Sequence, residues 1–248
     1  MTVASVDRVT PRLVRVAFAG AELEGFSVEQ PGASVRLLLP SPGTSELVVP
    51  AWNGNEFLLA DGQRPVIRTF TPLRADPDAR ELDLEVVIHG HGVASAWADV
   101  AERGMPAAIS GPGRGYVIDA NASDFLLAGD ETAIPAIGQL LGELPPSTPT
   151  YAHIEVAHSD GRAPLPDHQS ASVTWHDLPP DAPPGDALVA AVQGAAVGGD
   201  TRVWVAGEAA AVQRVRRYLF QERGFPRAHA TVRGYWKHGR AGDADDDE

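Results

Sequence analysis

The sequence contains no cysteine, which excludes disulfides, thiolate zinc sites, cysteine nucleophiles and cysteine-held iron–sulfur clusters. Any redox chemistry must therefore come from a bound cofactor. No run of about 18 apolar residues occurs, so no membrane insertion is expected. The opening Met1-Thr2-Val3-Ala4-Ser5-Val6-Asp7 lacks a basic stretch followed by an apolar one, so no signal peptide is expected and a cytoplasmic location is the default. Lysine is almost absent: Lys237 is the only one, and arginine supplies nearly all other cations. The formal net charge of −13 falls to −8 without the five acids of the last six residues, a balance that argues against nucleic-acid binding. What is present is a 44% hydrophobic share over 248 residues, enough for one large domain or two ordinary ones.

The N-terminal half reads as short strands. Arg12–Phe18 mixes β-branched and polar residues; Ser34–Leu39 is a strand closed by Pro40 and Pro42; Leu47-Val48-Val49 is a candidate short strand, and residues 50–65 read as loop. Leu82, Leu84, Val86 and Ile88 recur at period two, as on a half-buried strand. Strands at this spacing suggest a small antiparallel barrel.

Within that half, Arg68-Thr69-Phe70-Thr71-Pro72-Leu73-Arg74 stands out. On a strand, Arg68 and Phe70 share a face. Arg68 offers a planar fork of donors suited to a pyrophosphate. Phe70 offers a flat apolar face for a ring system, and Thr71 a hydroxyl and a backbone N–H for the ring's redox edge. A barrel strand with a surface arginine and a core phenylalanine fits the same residues. His89-Gly90-His91-Gly92-Val93-Ala94-Ser95 follows shortly after, and a helix is expected from Val93 to about Arg103, with Gly104 as its cap. A glycine-opened helix start presents free N–H groups, and small residues at Gly92, Ala94 and Ser95 let a phosphate approach. A glycine turn before a packing helix is the plainer alternative. His89 and His91 find no carboxylate at ligand spacing, so no metal is expected. Gly111-Pro112-Gly113-Arg114-Gly115 reads as a turn or hinge.

From Asp124 the pattern changes to strand–helix alternation. Phe125–Gly129 is a continuous apolar run, as in a strand buried on both faces. Helices are expected over Ala133–Glu143, Asp186–Val197 and residues 208–223, and strands over Tyr151–Ala157, Ala171–Trp175 and Arg202–Ala206, with Thr231–Lys237 closing the fold. This implies a mostly parallel sheet with helices on its faces. Ligands on such sheets bind beyond the carboxyl ends of the strands. Here those ends are Gly129-Asp130-Glu131-Thr132, Ala157-His158 and Gly207-Glu208.

Taken in order, Arg-x-aromatic-Thr, His-Gly-x-Gly-x-Ala-Ser-x-Trp-Ala, Leu-Ala-Gly-Asp-Glu-Thr-Ala-x-Pro-Ala, Trp-x-Ala-Gly-Glu-Ala and Gly-Tyr-Trp-x-x-Gly resemble the siderophore-interacting protein family, over about residues 5–240. Its members are FAD-dependent ferric-siderophore reductases of the ferredoxin-reductase-like superfamily. The resemblance implies a six-stranded FAD-binding barrel (1–118), a nicotinamide-binding α/β domain (119–240) and a disordered acidic tail (241–248). It implies flavin contacts from Arg68, Phe70 and Thr71, and a pyrophosphate at Gly92, Val93, Ala94 and Ser95 with His89 nearby. It sets Asp130, Glu131, Thr132 and Glu208 beside the nicotinamide or flavin cleft and returns Trp236 toward the flavin. Lys237 becomes a candidate for an anionic ferric chelate.

The chain departs from the family pattern in three places. Phe70 stands where the family usually has tyrosine, so it cannot donate a hydrogen bond. Leu73 stands where a second arginine is common, with Arg74 adjacent. His176-Asp177-Leu178 follows Trp175 where a basic residue is frequent, and an aspartate repels a 2′-phosphate, so NADH and NADPH both stay open. The implied activity is transfer of electrons from NAD(P)H through FAD to a ferric siderophore, by a monomer. A general flavin-dependent NAD(P)H oxidoreductase and a non-catalytic flavin or ferric-siderophore binding module are the alternatives.

Overall fold

The computed structural model describes residues 1–90 and 92–239. The chain divides into two compact units, Met1–Gly115 and Tyr116–Glu248. His91 and the acidic tail, with the readings made on them, lie outside the described residues.

The first unit holds β1 (Thr2–Thr10), β2 (Leu13–Ala19), β3 (Val35–Leu39), β4 (Ala51–Trp52), β5 (Phe57–Leu58), β6 (Val66–Phe70), β7 (Pro72–Asp76), β8 (Glu81–Val87), α1 (Val93–Asp99) and β9 (Ala108–Ser110). One antiparallel sheet has the order β1-β2-β8-β7 and a second the order β6-β3-β9. Only Thr71 separates β6 from β7, so the two run on as one bent strand and join the sheets. On the far side Thr2 bridges Pro106, with Val3 N–H donating to Met105 O (2.9 Å) and Ala107 N–H to Met1 O (3.1 Å). Through these contacts the circuit of six strands closes into a barrel. Alternation fills the interior: Val14, Val16 and Phe18 of β2 meet Val35, Leu37 and Leu39 of β3 and Leu82 and Leu84 of β8. Glu85 is buried but faces Arg15 directly across the ladder, with Nη2 to Oε1 at 2.8 Å.

Two local expectations fail in this unit. Leu47–Val49 forms no strand; pairing begins in the β4–β5 hairpin, inside the stretch expected to be loop, and Val49 stays 72% exposed. The helix after Gly92 stops at Asp99, not Arg103. Gly104, at φ +92°, turns the chain and donates its N–H to Val3 O (2.8 Å), so it serves the barrel seam instead of capping the helix.

The second unit holds β10 (Phe125–Gly129), α2 (Ile134–Glu143), β11 (Thr150–Val156), β12 (Ala171–Asp177), α3 (Asp186–Gly194), β13 (Arg202–Glu208), α4 (Ala209–Arg217) and β14 (Ala230–Trp236). All five strands are parallel, in the order β12-β11-β10-β13-β14. The chain leaves β10 in one direction and later resumes beside it with β13, so the carboxyl ends of β10 and β13 flank the topological switch point. Every residue of β10 is buried, as its unbroken apolar run demands. On one face Leu188, Val189 and Val192 of α3 pack with Val212, Val215 and Leu219 on the apolar stripe of the α4 segment. The helix expected over 208–223 is α-helical only to Arg217 and finishes as a π-helical turn, Tyr218–Glu222; α3 ends at Gly194, short of Val197. Among the described residues no helix is long and apolar enough to cross a membrane.

Candidate functional site

In the first unit the strand and the glycine-led helix start are tied to one end of the barrel. Pro72 pairs with Leu84 in the antiparallel β7–β8 ladder. Backward from Pro72 through Phe70 to Arg68, the chain runs alongside β8 toward its end at Val87, shortly before Gly90 and the start of α1. Thr71 is buried at the bend, while Arg68 and Phe70 are half-buried. Phe70 packs part of its ring on the barrel core. The Arg68 Nη1 donates to Ile67 O at 2.6 Å, which lays the guanidinium along its own strand.

The helix start is held by Ser95, whose buried Oγ accepts the His89 N–H at 3.1 Å. Gly92 has φ +81°, a left-handed backbone that favours glycine, and a side chain there would only touch the exposed His89 ring at ordinary contact distance, 3.5 Å. Gly92 supplies no side-chain cap, and the first turn of α1 carries no acidic residue. The amides of Val93, Ala94 and Ser95 thus open a helix whose end is not already filled by a carboxylate. These features fit the phosphate end of a flavin nucleotide. Among the described residues no group of three or more His, Cys, Asp or Glu is placed to hold a metal ion.

The second unit shows the reverse chemistry. Asp130, at the end of β10, is buried and accepts four hydrogen bonds. Its Oδ1 takes Thr132 N–H (2.9 Å) and Thr132 Oγ1–H (2.5 Å); its Oδ2 takes Glu208 N–H (2.9 Å) and the Trp236 indole N–H (2.8 Å). Burial pushes this carboxyl up from its ordinary value, and the four donors oppose that push. Glu131 Oε1 accepts Ala157 N–H (3.1 Å). Glu208 caps α4 through Ala211 N–H (2.9 Å) and holds His238 N–H (3.1 Å). Asp130, Thr132, Glu208 and Trp236 are therefore one hydrogen-bonded group at the switch point, and Glu131, next in the chain to Asp130, ties this end of β10 to the end of β11. Lys237 follows, half-buried, at the end of β14.

Three arrangements escape a reading of the sequence. Glu155 is 4% exposed and takes Gly185 N–H (2.7 Å) and Leu188 N–H (2.9 Å) at the start of α3. Burial raises its carboxyl, and the nearby Asp130 charge adds to that rise. Its signal was a lone charge inside the apolar run Ile154-Glu155-Val156. Gly207 sits at a β-bulge that pairs Glu208 with Trp236, and a Cβ there would lie 2.6 Å from Asp130 Oδ2. His153 and His176, on neighbouring strands, join Nδ1 to Nε2 at 3.0 Å. Asp177, expected to face a 2′-phosphate, is gripped by Arg162 Nη2 at 2.8 Å to each oxygen.

Residues 2–116 match the model of the siderophore-interacting FAD-binding domain, and residues 122–239 that of the siderophore-interacting protein. The crystal structure of a siderophore utilization protein from T. fusca superposes with a TM-score of 0.85 at 33% identity, covering 97% of this chain and 92% of that one. The chain belongs to the siderophore-interacting protein family. Ferric vibriobactin reductase ViuB of Vibrio cholerae is 27% identical over 235 residues, 94% of this chain and 86% of the relative. A ferredoxin NADP+ reductase from Neisseria gonorrhoeae, solved with FAD and NADP, matches with a TM-score of 0.64 at 14% identity, covering 95% of this chain and 97% of that one. At that distance it speaks for the fold alone, which is ferredoxin-reductase-like: a flavin-type barrel followed by a parallel α/β domain.

Proposed function

We propose that this protein is an FAD-dependent reductase that passes electrons from NAD(P)H to ferric siderophores and releases Fe(II) in the cytoplasm. Residues 1–118 would bind FAD and residues 119–240 the nicotinamide donor. The observation that carries the reading is the glycine-led, uncapped start of α1 beside the strand of Arg68, Phe70 and Thr71, within a segment that matches an FAD-binding family.

In this reading Arg68 swings its guanidinium from Ile67 O to a phosphate oxygen, trading a neutral acceptor for a charged one. The amides of Gly92, Val93, Ala94 and Ser95 meet the diphosphate, with His89 at its edge. Phe70 packs on the ring, and Thr71 presents its buried hydroxyl and amide to the redox edge. The flavin supplies the chemistry, accepting hydride and giving single electrons, while the protein supplies orientation and electrostatics. Siderophores hold Fe(III) through hard oxygen donors and Fe(II) weakly, so reduction frees the metal. Asp130, Glu131, Thr132 and Glu208 shape the nicotinamide side. The roles of Trp236 toward the ring and Lys237 toward the chelate rest on the family resemblance.

The test supplies FAD, NADH or NADPH, and several ferric siderophores together with a ferrous trap. A ferrous signal well above the free-flavin rate is expected; the free-flavin rate alone refutes the reductase reading. Arg68→Ala is expected to weaken FAD affinity at least tenfold, since a charge-assisted phosphate contact contributes about 1.5–3 kcal/mol. Full yellow colour in that variant removes the role assigned to Arg68.

A further inference from the structure

The two units treat helix starts in opposite ways. In the barrel unit α1 opens on glycine with no acidic residue in its first turn. In the α/β unit the chain's own carboxylates fill the corresponding places. After β10, Asp130 takes the Thr132 amide and hydroxyl that precede α2. At the end of β11, Glu131 takes the Ala157 amide. Glu155 takes Gly185 N–H and Leu188 N–H at the start of α3, and Glu208 takes Ala211 N–H at the start of α4. All four acids are buried, between 3% and 8% exposed. In open α/β sheets the diphosphate of a dinucleotide normally sits at such a helix start, on free amides and beside glycine. Here the amides are already bonded and the carboxylates bring negative charge to the place a diphosphate would need. The Arg162 guanidinium, beyond the end of β11, is held bidentately by Asp177.

We propose that, among the described residues, the strand ends of the α/β unit offer the diphosphate of the electron donor no site, so that the donor is not held there through its diphosphate. The inference rests on the reading of NAD(P)H as donor. It departs from the usual mode of this fold because the strand ends that would hold the diphosphate do not fit it. The adjacent negative charges explain the upward push on the Glu155 carboxyl, to which Asp130 contributes. A further dianion at the same strand ends would meet the same repulsion.

ADP-ribose, which is the dinucleotide without its nicotinamide, is the direct probe. It is titrated calorimetrically into the full chain loaded with FAD, and no saturable binding is expected below roughly 1 mM. A Kd tighter than that overturns the proposal. In a second arm, anaerobic flavin bleaching is followed with NADH, NADPH and reduced nicotinamide riboside, which carries no phosphate. The riboside is expected to be at most about threefold slower than NADH or NADPH in second-order rate, whereas a larger deficit of the riboside overturns the proposal. If no nicotinamide bleaches the flavin, the donor reading fails by itself, and the ADP-ribose titration still decides whether the strand ends grip a diphosphate.

Discussion

Asp130→Asn is the most informative single change in the α/β unit. The native carboxylate sits 6% exposed and faces donors on every side: Thr132 N–H and O–H, Glu208 N–H and the Trp236 indole. An amide of the same shape has one acceptor oxygen and one NH2. With the oxygen toward Thr132, the NH2 confronts two buried donors, Glu208 N–H and Trp236 Nε1–H. With the amide flipped, the Thr132 hydroxyl turns to accept and only Thr132 N–H loses its partner. The flipped form costs less, and one orphaned buried donor costs about 1–3 kcal/mol. Relief of the buried charge offsets part of this, so a net loss of about 2 kcal/mol is expected. For a unit of this size that lowers Tm by roughly 6–10 °C. Thermal unfolding followed by near-ultraviolet circular dichroism reads the loss, and the indole N–H resonances read its cause. The Trp236 signal, identified by its absence in Trp236→Phe, should shift in Asp130→Asn while that of Trp204 stays in place. An unchanged Tm together with an unmoved Trp236 indole refutes the role of Asp130 as the anchor of β14.

Two other outcomes follow from the same chemistry. Asp130 and Glu155 have raised carboxyl values in the folded state, from ordinary values of 3.8 and 4.5. Their stabilising contribution is present below those ordinary values and is lost as pH rises through the raised ones. The deficit of Asp130→Asn should therefore be largest below the ordinary value of 3.8 and shrink as pH rises through the raised one; urea melts over an acid-to-neutral series check it, and a deficit that grows with pH is the contrary result. Separately, the net charge of −13 opposes the long-range approach of anionic chelates. The second-order rate with a trianionic ferric chelate should rise with ionic strength, while that with a neutral chelate stays flat; a fall for the trianion would point to a local cationic patch.

How much of this was legible in the sequence depends on the range of the physics involved. Period-two alternation in Leu82–Val86 and the unbroken run Phe125–Gly129 are local, and both fell where expected, because the burial of a strand face is written in consecutive residues. The ends of α1 and α3 were misjudged because nothing in their own composition stops them. Gly104, which looked like a helix cap, is recruited by Val3 across the barrel seam. The candidate residues of the α/β unit could be named from sequence, since sheet topology places ligand-facing positions at strand ends. Whether their carboxylates face a ligand or the protein's own amides was not legible. Asp130 meets the Trp236 indole 106 residues later, and it can do so only because Gly207 has no side chain and a bulge skips Tyr235 to set Trp236 opposite Glu208. An aspartate after Leu-Ala-Gly reads the same whether it binds a cofactor or fastens a strand. What separates the two is the set of donors that the fold delivers to its two oxygens, and here both oxygens already accept two bonds each from within the unit.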